Sequence, residues 1–174
     1  MRRMALAAVA ALVAVPMAAG PAAAGDAFET TGDVLRWALP AAAAGCAWQQ
    51  DRLASYAVGL GTAAVVTEGL KKGLGDSRIN ERPNGESEGF PSGHAVTAFS
   101  GAGDLMLHCA PGNPWVAATA GGAAVLVAAS RLDADEHDLL QVVAGAALGF
   151  FSTGIQVTKG PGGSGYGLSY ELRF

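Results

Sequence analysis

The sequence predicts an all-α protein, a compact bundle of about five helices whose functional site lies at the helix ends, with a short C-terminal strand. Three observations carry that expectation. Of the 174 residues, 37 are Ala and 25 are Gly, small residues that let helix axes approach closely. Only 15% of residues are charged, against about 25% in an average globular domain. Apolar blocks long enough for helices alternate with short stretches rich in Gly, Pro and charge, and a period of two appears only near the C-terminus.

Low charge beside 51% hydrophobic content excludes an intrinsically disordered chain, and the length suits one domain. A formal charge of −4 argues against a nucleic-acid partner, which would need a basic face. Two cysteines are too few for a disulfide scaffold, and no Cys/His cluster has zinc-ligand spacing.

Residues 1–24 read as a secretory signal peptide. Arg2 and Arg3 form its positive end, Met4 to Val15 its apolar stretch, and Ala22-Ala23-Ala24 the small residues before the cut. Pro16, Gly20 and Pro21 interrupt the apolar stretch short of the ~20 residues an anchor needs. The protein is therefore expected to be exported, to the periplasm or to a membrane facing it. That leaves a helical domain over 25–159 and a Gly-rich tail over 160–174. Export implies an oxidising compartment in which Cys46 and Cys109 can pair. The preferred reading leaves them as two small buried residues in separate helices.

Asp33 to Gln50 predicts the first helix, apolar but for Arg36, with a kink at Pro40. Arg52 to Lys72 predicts the second, whose closing Lys71-Lys72 pair complements the helix dipole. Residues 73–91, with four glycines and a run of acidic and basic side chains, read as a surface loop. A third helix starts at Ser92 or Gly93 and runs to about Cys109, where His108 suits the helix C-terminus. The turn Pro111-Gly112-Asn113-Pro114 leads into a fourth over Trp115 to Ser130. A charged connection over Arg131 to Glu136 precedes the last, over His137 to Val157. Tyr166, Leu168, Tyr170, Leu172 and Phe174 alternate with small or polar residues and predict one strand.

The uncharged run from Leu139 to Thr158 is nominally long enough to cross a bilayer. Asp104, inside the third helix, would be costly in lipid. A soluble or peripherally attached bundle is expected, with integral membrane association as the alternative.

Three stretches bring basic residues and histidines to helix ends: Lys71-Lys72 with Arg82-Pro83, then Phe90-Pro91-Ser92-Gly93-His94, then Ser130-Arg131 with His137 and Gln141. Ser92 and Gly93 at a helix start offer a hydroxyl and free backbone N–H groups, which suit an anion. Arg82 and Arg131 add planar forks for phosphate oxygens, and a lysine adds a point charge. Two imidazoles beside such an anion point to phosphoryl transfer, one attacking phosphorus and one protonating the leaving oxygen. The cationic side chains can hold the developing charge, so no metal is implied. Taken singly, each histidine reads as a helix cap and each arginine as a partner of Glu81, Glu86, Asp133 or Asp135; three stretches at successive helix ends make the joint reading the stronger one.

Those residues also carry a resemblance. Arg82-Pro83, Phe90-Pro91-Ser92-Gly93-His94 and Ser130-Arg131 followed by His137 resemble the three-part signature of the type 2 phosphatidic acid phosphatase family, to which acid phosphatases and vanadium haloperoxidases are similar. The likeness extends into Thr67-Glu68-Gly69-Leu70-Lys71 and Val142-Val143-Ala144-Gly145 and covers most of residues 30–157. It implies a helical bundle, no cofactor, and a phosphorylated small molecule or lipid phosphate as substrate. It makes His137 the nucleophile that forms a phosphohistidine and His94 the general acid. Arg82, Arg131, Ser92, the Gly93 N–H and a lysine would hold the phosphoryl oxygens.

Two departures stand out. The family's lysine falls seven positions before the Arg-Pro arginine, which here is Gly75, so Lys71 takes the role, with Lys72 next to it and Arg78 in reserve. The family's aspartate four residues after the nucleophile is Gln141 here. A glutamine carbonyl can accept the Nδ1–H bond but adds no charge, and Asp133 or Asp135 is the candidate to compensate. The leading expectation is a phosphatase acting on a phosphomonoester or pyrophosphate. The alternatives are a vanadate-dependent haloperoxidase and a non-catalytic anion-binding protein.

Overall fold

The computed structural model describes residues 21–160 and 165–172; positions 1–20 of the expected signal peptide, 161–164 of the tail, Arg173 and Phe174 lie outside them. Five helices follow in order: α1 (Pro21–Gln49), α2 (Leu53–Leu74), α3 (Gly93–Asp104), α4 (Pro114–Asp133) and α5 (Leu139–Ser152). A two-stranded antiparallel hairpin, β1 (Ile155–Lys159) and β2 (Tyr166–Tyr170), closes the chain.

The core is written in helical spacing. Leu35, Leu39, Ala43 and Ala47 form one buried stripe along α1, and Val116, Ala120, Ala124 and Val127 form its counterpart on α4. Between them α3 contributes Ala98 and Ala102, and Leu105 follows from the π-helical turn Leu105–Cys109 that prolongs it. Helix α3 packs on all four other helices, so it is the axis of the bundle. The expected role of small residues is visible at two contacts. A Cβ on Gly149 of α5 would stand 2.1 Å from the Val96 carbonyl oxygen of α3. A Cβ on Gly101 of α3 would stand 2.5 Å from the backbone of Leu39 and Pro40, so α3 presses on α1 where Pro40 sits within the helix.

Several element boundaries differ from expectation: α2 runs on to Leu74, and α4 to Asp133, taking in the first half of the expected charged connection. α1 extends well before Asp33, and there Thr30 and Thr31 donate their hydroxyls to the carbonyls of Asp26 and Ala27 one turn back. α5 starts two residues later than expected, because Asp138 caps it: the Asp138 carboxylate accepts from Gln141 N at 2.8 Å. It also stops at Ser152, where the Ser152 and Thr153 hydroxyls bond back to Gly149 and Phe150 carbonyls. Ile155 to Val157, expected to finish the helix and β-branched at both ends, instead falls within β1, paired with β2 so that Val157 faces Leu168. The Val157 N–H donates to Ser55 Oγ of α2 at 3.0 Å and seats the hairpin on the bundle.

The end of the bundle away from His137 is tied by charge and by a covalent bond. Asp104 is 1% exposed and receives both terminal nitrogens of Arg52, at 3.1 and 3.2 Å. His108 Nε2 lies 3.0 Å from the Thr153 carbonyl, linking the end of α3 to that of α5. Cys46 and Cys109 form a disulfide, with Cα atoms 6.1 Å apart, which corrects the reading of two separate buried thiols. The bond closes 63 residues of sequence separation, and a loop of that size is worth about 4 kcal/mol in chain entropy. Urea unfolding of a Cys46→Ser/Cys109→Ser variant should show a loss of that order. A loss below about 1 kcal/mol would remove the disulfide from the account of stability.

α2 and α4 are long and apolar enough to cross a membrane by length and composition. The Leu139–Thr158 run is not a single helix, since α5 ends at Ser152.

Candidate active site

The C-terminal end of α2, the loop after it, the start of α3 and the start of α5 meet around a cavity of about 340 Å³. Lys71, Arg82, Gly93, His94 and His137 all line it, so five of the eight residues expected at the site share one space. Lys72 and Arg78 are exposed and line neither this cavity nor its neighbour, which separates Lys71 from its alternatives. Ser92 is fully buried behind the cavity, where its hydroxyl caps α3 by accepting from Ala95 N at 3.5 Å. Arg131 lines a second, wider cavity of about 600 Å³ that shares Arg36, His94 and Glu136 with the first.

His137 sits just before α5, held by its backbone N–H on the Arg131 carbonyl at 3.2 Å. Its Nδ1 lies 3.0 Å from Gln141 Oε1. Gln141 has no freedom to turn. Its Nε2 donates to the carbonyls of Ile79 at 3.1 Å and Glu81 at 2.8 Å, while Oε1 also accepts from the Asp138 N–H at 3.3 Å. With both amide hydrogens committed to carbonyls, only the oxygen can face the imidazole. His137 therefore carries its proton on Nδ1 and leaves Nε2 as a bare lone pair. Gly89 makes the room, because a Cβ there would lie 2.5 Å from Gln141 Nε2. Neither expected substitute carboxylate takes part in this bond; Asp135 is used through its carbonyl, which accepts from Asn84 N at 3.2 Å.

The 73–91 segment is more ordered than a solvated loop. Asn80 is 1% exposed and bridges it, donating to the Lys71 and Gly75 carbonyls at 2.8 Å each and accepting from Phe90 N at 3.0 Å. Arg82 pairs with Glu86 at 3.1 Å, as the single-residue reading allowed, and also with Glu136. The Nε–H groups of Arg36 and Arg82 are buried and unpaired among the described residues.

α1 supplies residues that the motifs did not contain. Asp33 Oδ1 lies 2.9 Å from His94 Nε2, and the Arg36 guanidinium lies 2.6 Å from the same ring. Arg131 Nη1 stands 3.4 Å from Glu29 and 3.5 Å from Asp33 rather than beside Asp133 or Asp135. A signal was present in the sequence: Glu29, Asp33 and Arg36 recur at spacings of four and three, which is one helix face. It was readable as a charged face and not as a site, because the partners lie about 60 and 100 positions away.

Burial pushes His94 down from its ordinary value to about 4, with Arg36 and Arg131 acting in the same direction and Asp33 opposing them. Burial also lowers His137, against the Gln141 hydrogen bond, and Arg82 and Lys71 add to the lowering. Lys71 is lowered by burial and by Arg82. Both imidazoles are thus neutral near pH 7. In the roles that the resemblance implies, attack needs neutral His137 and leaving-group protonation needs charged His94, which is populated below about pH 4 in the free protein. kcat/KM should therefore peak on the acid side of pH 6.5 and fall more than about tenfold by pH 8. A flat profile from pH 5 to 8 would contradict the assignment. Stability should move the other way, because the unfolded chain binds more protons than the fold between pH 4 and 6.5. It is complete above that window and is lost as the pH falls through it, His94 accounting for something on the order of 3 kcal/mol.

Among the described residues there is no group of three or more His, Cys, Asp or Glu placed to hold a metal ion. Comparison with known families matches residues 52–159 to the PAP2 superfamily. No curated protein and no solved structure matches the chain.

Proposed function

The chain belongs to the PAP2 superfamily, and from that premise we propose that it is a phosphatase, hydrolysing a phosphomonoester or pyrophosphate of a small molecule or lipid through a phosphohistidine on His137. One observation supports this most directly: His137, with its Nε2 lone pair set by Gln141, shares a cavity with His94, Lys71 and Arg82. His137 Nε2 attacks phosphorus and the P–O bond to the leaving group breaks. The leaving oxygen takes a proton from charged His94. Water then attacks the phosphohistidine, the P–N bond breaks, and the proton of that water goes to His94 as phosphate departs. Lys71, Arg82 and the backbone N–H groups at the start of α3 offset the charge that builds on the equatorial oxygens.

The test is hydrolysis of an aryl phosphate by the purified protein, with inhibition by vanadate and capture of a base-stable, acid-labile phosphoprotein. Absence of hydrolysis, or a label on any residue but His137, would overturn the reading. We further propose a location outside the cytoplasm, in the periplasm or attached to a membrane facing it. The Cys46–Cys109 bond supports an oxidising compartment, and exposed Val65 and Trp115 on the two apolar helices support attachment.

A further inference from the structure

The second cavity opens beside the first and is walled by the early turns of α1, which lie outside the 52–159 family match. His137 lines only the first cavity, whereas His94 lines both. In-line displacement puts the leaving oxygen opposite the nucleophile, and the acid that protonates it must stand beside it. His94 stands where the two cavities meet, so a leaving group beside it has the second cavity open to it.

The two spaces differ in charge. The first is lined by three cations, Arg36, Lys71 and Arg82, against the carboxylates of Glu68 and Glu136. The second reverses the balance, with Glu29, Asp33 and Glu136 against Arg36 and Arg131. Arg131 is already answered there, since Glu29 and Asp33 both stand within 3.5 Å of its Nη1. Those two carboxylates remain about half exposed and keep acceptor capacity for a ligand. Trp37 is 61% exposed beside them and carries the Arg36 guanidinium 4.6 Å from its ring centre, which makes a flat apolar wall.

We propose that the second cavity seats the leaving group, and that it selects an alcohol bearing its own hydroxyl or ammonium donors over a second phosphate. The inference rests on the phosphatase reading and narrows it from two substrate classes to phosphomonoesters. Donors on the alcohol bond to Glu29 and Asp33 while its carbon frame lies along Trp37. The distal phosphate of a pyrophosphate would meet the same two carboxylates and be repelled.

Calorimetric binding on a His137→Ala background, where bound ligand is not consumed, tests this apart from turnover. The probes are phosphoethanolamine, glycerol 2-phosphate and inorganic pyrophosphate. We expect the two monoesters to bind about tenfold or more tightly than pyrophosphate. Glu29→Gln and Asp33→Asn, introduced separately, should each shrink that ratio by strengthening pyrophosphate. Trp37→Ala should weaken both monoesters and leave pyrophosphate alone. Tighter pyrophosphate binding, no binding of any probe, or ratios unmoved by all three substitutions would overturn the proposal. Should the intact protein hydrolyse nothing while the binding order holds, the phosphatase reading falls and the subsite stands.

Discussion

Alanine at position 137 should lower kcat by about 10⁵-fold or more, the order found when a nucleophile that acts as part of a unit is removed. No neighbour can take its place. His94 is engaged by Asp33 and Arg36 on the α1 side of the cavity, and the other groups lining the first cavity with a lone pair are the carboxylates Glu68 and Glu136 and the hydroxyls Thr67 and Thr97. The fold should survive. His137 lies outside the helix, and the Gln141 oxygen keeps its bond from the Asp138 N–H. A thermal melt within a few degrees of the parent, alongside steady-state rates on an aryl phosphate, separates lost chemistry from lost structure. Turnover within tenfold of the parent would remove His137 from the mechanism.

Restoring the aspartate that the family pattern calls for at position 141 should make the protein worse. Aspartate is one methylene shorter than glutamine and carries no N–H. The Ile79 and Glu81 carbonyls would lose their donors and face a buried negative charge instead. We expect Gln141→Asp to cost about 2–4 kcal/mol in urea unfolding. kcat should fall roughly 10²-fold, the cost of a reacting group displaced by about 1 Å. Gln141→Glu keeps the length and exchanges only the donors for charge, so it separates the two causes. A Gln141→Asp protein as stable as the parent and faster in turnover would show that the glutamine is a defect. The two carbonyls argue that it is a clamp between the helix that follows His137 and the loop that carries Arg82.

The pairing with those carbonyls was not legible in the sequence. Gln141 was visible as a departure from the family pattern, because its spacing from His137 is local, but the donors' partners lie 60 and 62 residues upstream. The same limit hid Asp33 and Arg36, while the ends of α2, α3 and α4 were close to legible from Lys71-Lys72, Ser92-Gly93 and Asn113-Pro114. The Cys46–Cys109 bond was missed for a different reason. Nothing in the spacing of two cysteines says whether their helices cross at the same height. The strand β1 was missed because Ile155 to Val157 continues the uncharged run of α5, with no charge or proline to mark the end of the helix. What ends the helix is a pair of hydroxyls bonding backwards, a local event that apolar periodicity does not register.

The disulfide has a consequence for α1 that concerns angle rather than strength. It pins the helix at Cys46, thirteen residues and about 20 Å along the axis from Asp33. A helix keyed at one end behaves as a shaft, and each residue along it advances the side chains by about 100°. The face carrying Glu29, Asp33 and Arg36 meets His94 and Arg131 because the count of residues back to the pin, together with the buried stripe from Leu35 to Ala47, brings it to that phase. Relatives with other side chains on this face could select other leaving groups, but one residue more or fewer between the pin and the site would turn the whole face toward solvent. The side chains of that one face are free to vary, while the buried stripe beside it and the length of the stretch are not.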